Sequence, residues 1–206
     1  MGWTATVIPE QYEGLGLSYL ELSVVAEELG RALAPIPFSS SVYLATEAIL
    51  AAGSEEQKQA YLPGLAAGTS IGCFALGETA GQASPTSLTT KANDASITGV
   101  KIPVADGDVA NFAIVVARSD KGDGASLCIV DLDQGGVSRE SITTIDPSRS
   151  HAKLTLNAAD AQLLGNEGEG WSHVQSILNR AAVLFAWEQV GGCDTALNMA
   201  KEYALG

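Results

Sequence analysis

The hydrophobic pattern of this 206-residue chain changes period twice, near residue 70 and again near 167, and that change limits the fold more than any single motif does. From Leu17 to Gly68 the pattern is helical. Ser18 lies three residues before Glu21, the spacing of a capping box. Leu22, Val25, Leu29 and Leu33 then recur at helical intervals. "APIPF" (34–38) ends that helix, because proline cannot continue it. A second helix is expected over "SSSVYLATEAILAAG", ending at Gly53. A third restarts at Ser54, with Glu55, Glu56 and Gln57 in a first turn where acidic groups suit the helix dipole.

Between Ile71 and about Gly165 the segments become short. "ASITGVKIPV", with a turn expected at Thr98-Gly99, is followed by "FAIVVARS", "ASLCIVDL" and "HAKLTLNAA", each bounded by Gly, Asp, Asn or Ser. Such spacing predicts an antiparallel barrel or sandwich. The lack of strand–helix alternation argues against a doubly wound parallel sheet. From Gly168 onward Trp171, Val174, Leu178, Ala181 and Phe185 share one helical face. Gly191-Gly192 is expected to interrupt that helix, at about 1 kcal/mol per glycine relative to alanine, and to permit close helix packing. The apolar stripe needs cover, from further chain or from a second chain.

The expected fold class is therefore α+β and multi-domain. An N-terminal helical domain spans 1–70, a middle antiparallel β-barrel domain 71–166, and the first helix of a C-terminal helical bundle 167–206.

Hydrophobic residues at 46% and charged residues at 17% suit a packed globular chain. A net charge of -13 argues against nucleic acid as a partner. No apolar run reaches the ~20 residues that span a bilayer, and the first residues lack the pattern of a signal peptide. No membrane partner and a cytoplasmic setting are expected. Cys73, Cys128 and Cys193 are widely spaced and odd in number, so neither a disulfide framework nor a metal site is expected.

Chemistry legible from residue types alone is sparse. No nucleotide-binding, zinc-protease or nucleophile-elbow motif is present. "GLGLS" reads as a turn. "GNEGEGW" (165–171) enters a helix whose amides would attract an anion, but Glu167 and Glu169 would repel one. His151, expected on a strand, and His173, expected on a helix, lack ligand spacing. Two stretches hold the interest: "CFALGETAGQASP" (73–85), a loop of small residues around a lone Glu78, and "KIPVADG" (101–107).

Several strings resemble the acyl-CoA dehydrogenase family along essentially the whole chain. They are "GWTATVIPEQYEGLGLSYLELSVVAEELGRALAPIPFSSSV", "GSEEQKQAYLPGLAAG", "FALGETAG" and "LLGNEGEGW". The resemblance implies FAD bound between the middle and C-terminal domains and α,β-dehydrogenation of an acyl-CoA thioester. In that reaction a carboxylate takes the α-proton, a hydride leaves Cβ for the flavin, and electrons pass to an electron-transfer flavoprotein. It also implies a homo- or hetero-oligomer.

By the same comparison, Phe74, Leu76, Gly77, Ala83, Val104 and Ala105 are the expected cofactor-binding positions. Their side chains depart from the family pattern. Gly77 stands for a threonine, Thr79 for a proline and Ala83 for a serine. Pro103, Val104, Ala105, Asp106 and Gly107 stand for Trp-Ile-Thr-Asn-Gly. The catalytic residue is unassigned: where some members carry the base on the first C-terminal helix, this chain has Ala181, and Glu188 one further stretch along is a weak substitute. The first helices and most of the C-terminal bundle of the family are absent from the chain. Alternatives are a non-catalytic subunit or fragment of a heteromeric acyl-CoA dehydrogenase with little flavin affinity, and a related flavoenzyme of different chemistry.

Overall fold

The computed structural model describes residues 2–93 and 95–206. Helix α1 (Tyr19–Arg31) opens with the capping box: Ser18 N–H donates to Glu21 Oε2 at 2.8 Å, and Leu20 N–H donates to Ser18 Oγ at 3.1 Å. Leu22, Ala26 and Leu29 are its buried face. Leu33 lies beyond the helix end, with φ 46°, and is 73% exposed, so the expected stripe stops one turn early. Where one helix was expected over 39–53, Ser39–Thr46 winds as a π-helical segment and continues as α2 (Glu47–Ala52). Helix α3 (Glu55–Ala67) has its own capping box, Ser54 with Gln57, and ends at Gly68 in the left-handed region.

Eight strands follow: β1 (Gly72–Ala75), β2 (Lys91–Asn93), β3 (Ser96–Ala105), β4 (Phe112–Arg118), β5 (Ala125–Asp131), β6 (Val137–Ser141), β7 (His151–Asp160) and β8 (Gln162–Leu164). They form one sheet in the order β6-β7-β3-β2-β4-β5-β8, with β1 added on β4. Most pairings are antiparallel, but β1 and β2 both pair with β4 in parallel, so the sheet is mixed. Thr98-Gly99 is not a turn. It lies inside β3, where the register against β7 slips between Ile97 and Gly99, and the slip absorbs the extra residue as a bulge.

Strand β4 is buried on both faces, which is why it reads as an unbroken apolar run. Phe112, Ile114 and Val116 face the helices, against Leu62, Leu65, Val174 and Ile177. Ala113, Val115 and Ala117 face the barrel interior, with Cys73, Val104 and Leu154.

Helix α4 (Gly170–Leu205) runs unbroken through Gly191-Gly192, contrary to the expected interruption. The glycines serve packing. A Cβ on Gly191 would lie 1.9 Å from the Glu27 carbonyl oxygen, and one on Gly30 would lie 1.9 Å from that of Glu188. Helices α1 and α4 therefore touch backbone to backbone. Thr195 Oγ1 donates to the Arg31 carbonyl at 2.9 Å, and Arg31 pairs with Asp194 across the same crossing. The start of α4 is tied to the barrel by Asp123 of the β4–β5 loop, which accepts from Ser172 N–H at 2.9 Å.

Candidate functional site

Strand β1 runs into the 76–90 loop, and the lone acidic residue of that loop turns out to be its anchor. Glu78 Oε1 accepts from Lys101 Nζ at 2.7 Å and from Thr90 N–H at 3.0 Å. Its Oε2 accepts from Thr89 N–H at 2.6 Å and from the Thr89 hydroxyl. The Lys101 side chain is 0% exposed and that of Glu78 5%. Burial alone would raise the Glu78 carboxyl, but the donors from Lys101, Thr89 and Thr90 outweigh it and hold the group at about 2. Lys101 also donates to the Leu76 carbonyl at 3.2 Å. One buried pair thus fixes both ends of the loop to β3.

Gly77 explains its own lack of a side chain. Its carbonyl accepts from Ile102 N–H at 2.8 Å, and a Cβ would meet the Ile102 carbonyl oxygen at 3.1 Å. The two stretches singled out in the sequence are therefore in direct backbone contact.

The loop and helix α4 enclose a cleft of about 390 Å³ lined by Leu76, Gln82, Ala83, Trp171, Val174, Gln175, Leu178 and Asn179. Among the expected cofactor positions, Leu76 and Ala83 line this cleft, whereas Gly77 lines a small pocket within the loop itself. Phe74 is buried behind it in the helix-side core. Val104 is 0% exposed and its side chain packs inside the barrel, so only its backbone is left to meet a ligand. Ala105 is half-buried and pairs with His151. Beyond it the buried Asp106 sits at φ 57° and accepts from Ser40 Oγ at 2.5 Å.

No free carboxylate faces the cleft from the positions considered as bases. Ala181 is 1% exposed and packs among Phe38, Val42, Tyr43 and Leu184. Glu188 Oε2 accepts from Arg149 Nη2 at 2.8 Å, and Arg149 Nη1 donates to Ser39 Oγ at 2.5 Å. Burial first, and the charge of Glu188 second, push the Tyr43 hydroxyl upward. Glu188 is thus a lock between α4, the 142–150 loop and the π-helical segment. A second buried carboxylate, Glu47, accepts from Arg180 at 2.9 Å and from the Tyr19 hydroxyl. Among the described residues, no group of three or more His, Cys, Asp or Glu is placed to hold a metal ion, and the three cysteines are free.

Helices, a mixed barrel and a long helix closing over a barrel loop define a fold with a cleft between its second and third parts. Residues 1–69 match the family described as "Acyl-CoA dehydrogenase, N-terminal domain". An acyl-CoA dehydrogenase of Bacillus subtilis (strain 168) is 32% identical over 211 residues, covering 96% of this chain and 56% of that protein. The butyryl-CoA dehydrogenase structure from Megasphaera elsdenii superposes with a TM-score of 0.88 at 26% identity, over 98% of this chain and 57% of the other. An acyl-CoA dehydrogenase from Bacillus anthracis, solved in complex with FAD, gives 0.88 at 28% identity over 98% and 37%. Nearly the whole chain is similar to members of the acyl-CoA dehydrogenase family, and it spans about half the length of the curated relatives it matches.

Proposed function

We propose that the chain supplies the flavin-facing part of an acyl-CoA dehydrogenase, which in its complete or assembled form oxidises the Cα–Cβ bond of an acyl-CoA thioester and hands the electrons to an electron-transfer flavoprotein. The cleft between the 76–83 loop and α4 carries this reading. Its residues suit a flat ring: Leu76, Val174, Leu178 and Trp171 give apolar walls, and Gln82, Gln175 and Asn179 put amides beside them. FAD, when bound, supplies the hydride acceptor. Leu76 and Leu178 would wall its ring from water, whereas Gly77, whose carbonyl is taken by Ile102 N–H, and Ala105, paired with His151, do not line the cleft to replace the hydroxyls that these positions lack. The clamp between Glu78 and Lys101 holds the loop in shape without presenting a free charge to the ring.

The α-proton needs a carboxylate that Ala181 and the engaged Glu188 do not provide, so the base comes from elsewhere in the assembly. That same observation favours a second reading, a non-catalytic subunit or fragment of a heteromeric enzyme. Both readings adopt the divisions 1–70, 71–166 and 167–206, an oligomer through the exposed face of α4, and a cytoplasmic setting. Among the described residues, no helix is long and apolar enough to cross a membrane.

Anaerobic addition of a saturated acyl-CoA to the FAD-loaded chain tests the assignment. Binding of FAD with no bleaching alone, and bleaching once a chain carrying the base is added, is the expected result. Failure to retain FAD under any assembly would remove the flavin-facing role.

A further inference from the structure

A second cavity, of about 530 Å³, opens at the mouth of the barrel and shares no lining residue with the cleft. Residues of β2, β3, β4, β5 and β8, with the loops after β4, β7 and β8, line it. Three of the eleven lysines and arginines in the whole chain line it: Lys91, Arg118 and Lys121. Lys91 and Arg118 are register partners across β2 and β4, on neighbouring strands of a chain whose net charge is -13. Like charges placed directly opposite one another disfavour a sheet, and an acidic chain has no general reason to concentrate its cations there.

The carboxylates at the rim do not cancel this arrangement. Glu167 is held by Lys121 at 2.6 Å. Asp120 approaches Arg118 only to 3.8 Å, on a side chain that is 95% exposed, and such loose exposed pairs contribute little. Among the described residues, Lys91 has no ion-pair partner within 4.0 Å. Ser96, Ser119 and Ser126 add hydroxyls, while Ala92, Cys128, Ala161 and Leu163 form an apolar wall.

We propose that the barrel mouth binds a small phosphate-bearing molecule, with the phosphate on Lys91 and Arg118 and its apolar part against Ala92, Ala161 and Leu163. A guanidinium beside an ammonium suits the oxygens of a phosphate, and the cavity has the size of a small-molecule site.

Calorimetric titration of the 206-residue chain at low salt, with inorganic pyrophosphate, ADP and adenosine in separate runs, tests this. Saturable binding of pyrophosphate and of ADP, and none of adenosine, is expected. Lys91→Gln and Arg118→Gln should each weaken it by about tenfold or more, roughly 1.4 kcal/mol. Lys58→Gln on α3 and Leu178→Glu in the cleft should leave it unchanged, and a thermal melt of each variant confirms that it is folded. No saturation by either phosphate compound, equal binding of adenosine and ADP, or folded Lys91→Gln and Arg118→Gln chains that bind like the wild type would overturn the proposal.

Discussion

Replacing Lys101 by methionine should cost this protein far more than a surface charge ever does. The ammonium and the Glu78 carboxylate lie 2.7 Å apart with side chains 0% and 5% exposed. At an effective dielectric constant of about 20 their attraction is about 6 kcal/mol. Desolvation of both ions offsets most of that, so the pair as a whole stabilises little. Removing one partner is another matter, because the survivor stays buried. In Lys101→Met, Glu78 keeps its donors from Thr89 and Thr90, which sets the loss at the lower end of the usual range, about 3 kcal/mol. In Glu78→Gln, Lys101 keeps the Leu76 carbonyl as its charge-neutral acceptor, and the loss rises toward about 5 kcal/mol. The double variant Glu78→Gln/Lys101→Met should lie within about 2 kcal/mol of the wild type. Urea unfolding gives all four corners of the cycle. In a thermal melt Lys101→Met should fall by about 6–12 °C. A loss below about 1 kcal/mol for either single variant, or a double loss equal to their sum, would refute the clamp.

Other consequences can be measured on the same chain. Gly191→Ala should destabilise by more than about 2 kcal/mol, since its Cβ meets the Glu27 carbonyl oxygen at 1.9 Å. Gly192→Ala, whose nearest neighbour is the Gly30 carbonyl oxygen at 3.7 Å, should be neutral or stabilise by up to about 1 kcal/mol in circular-dichroism melts. Glu78 is held at about 2, below the ordinary glutamate value of about 4.3. Its contribution is complete above the unfolded value and is lost as pH falls toward the folded one. The stability gap between wild type and Glu78→Gln should therefore narrow from about pH 4.3 down to about 2 in denaturant titrations. Glu188→Gln should destabilise by about 2 kcal/mol or more by leaving Arg149 unmatched, while fluorescence titration shows an unchanged FAD affinity.

Much of the architecture is legible in the sequence because its signals are local. Ser18 with Glu21 and Ser54 with Gln57 cap helices where their spacing says they should. The apolar runs of β4 and β5 announce buried strands. Long-range pairing is another kind of information. Nothing within β1 or β2 says that each lies parallel to β4, and β1 is too short to show a period. Gly191-Gly192 looks like a break because helix propensity is local, whereas the backbone contact with α1 that removes the penalty is not.

The site divides in the same way. The loop after β1 and the end of β3 are reached from the family strings, but not the inward turn of Val104, which the register slip between Lys101 and Val104 decides against strict alternation. Lys101 carried a readable sign: it stands four residues after the buried Ile97, on the same side of the strand, in an otherwise apolar segment. The locks on Glu188 and Glu47 join residues more than a hundred positions apart in two of their contacts, with no local signature.

Equilibrium binding of FAD to the purified chain, followed by the absorbance of the flavin and by Trp171 fluorescence, bears most directly on the role of the cleft. The wild type should bind saturably, and Leu178→Glu, a half-exposed position on the cleft wall, should weaken binding by about tenfold or more while leaving the melting temperature within a few degrees. Equal FAD affinity in the two proteins, or none in the wild type alone or in its assembled form, would contradict the assignment of this cleft to the flavin.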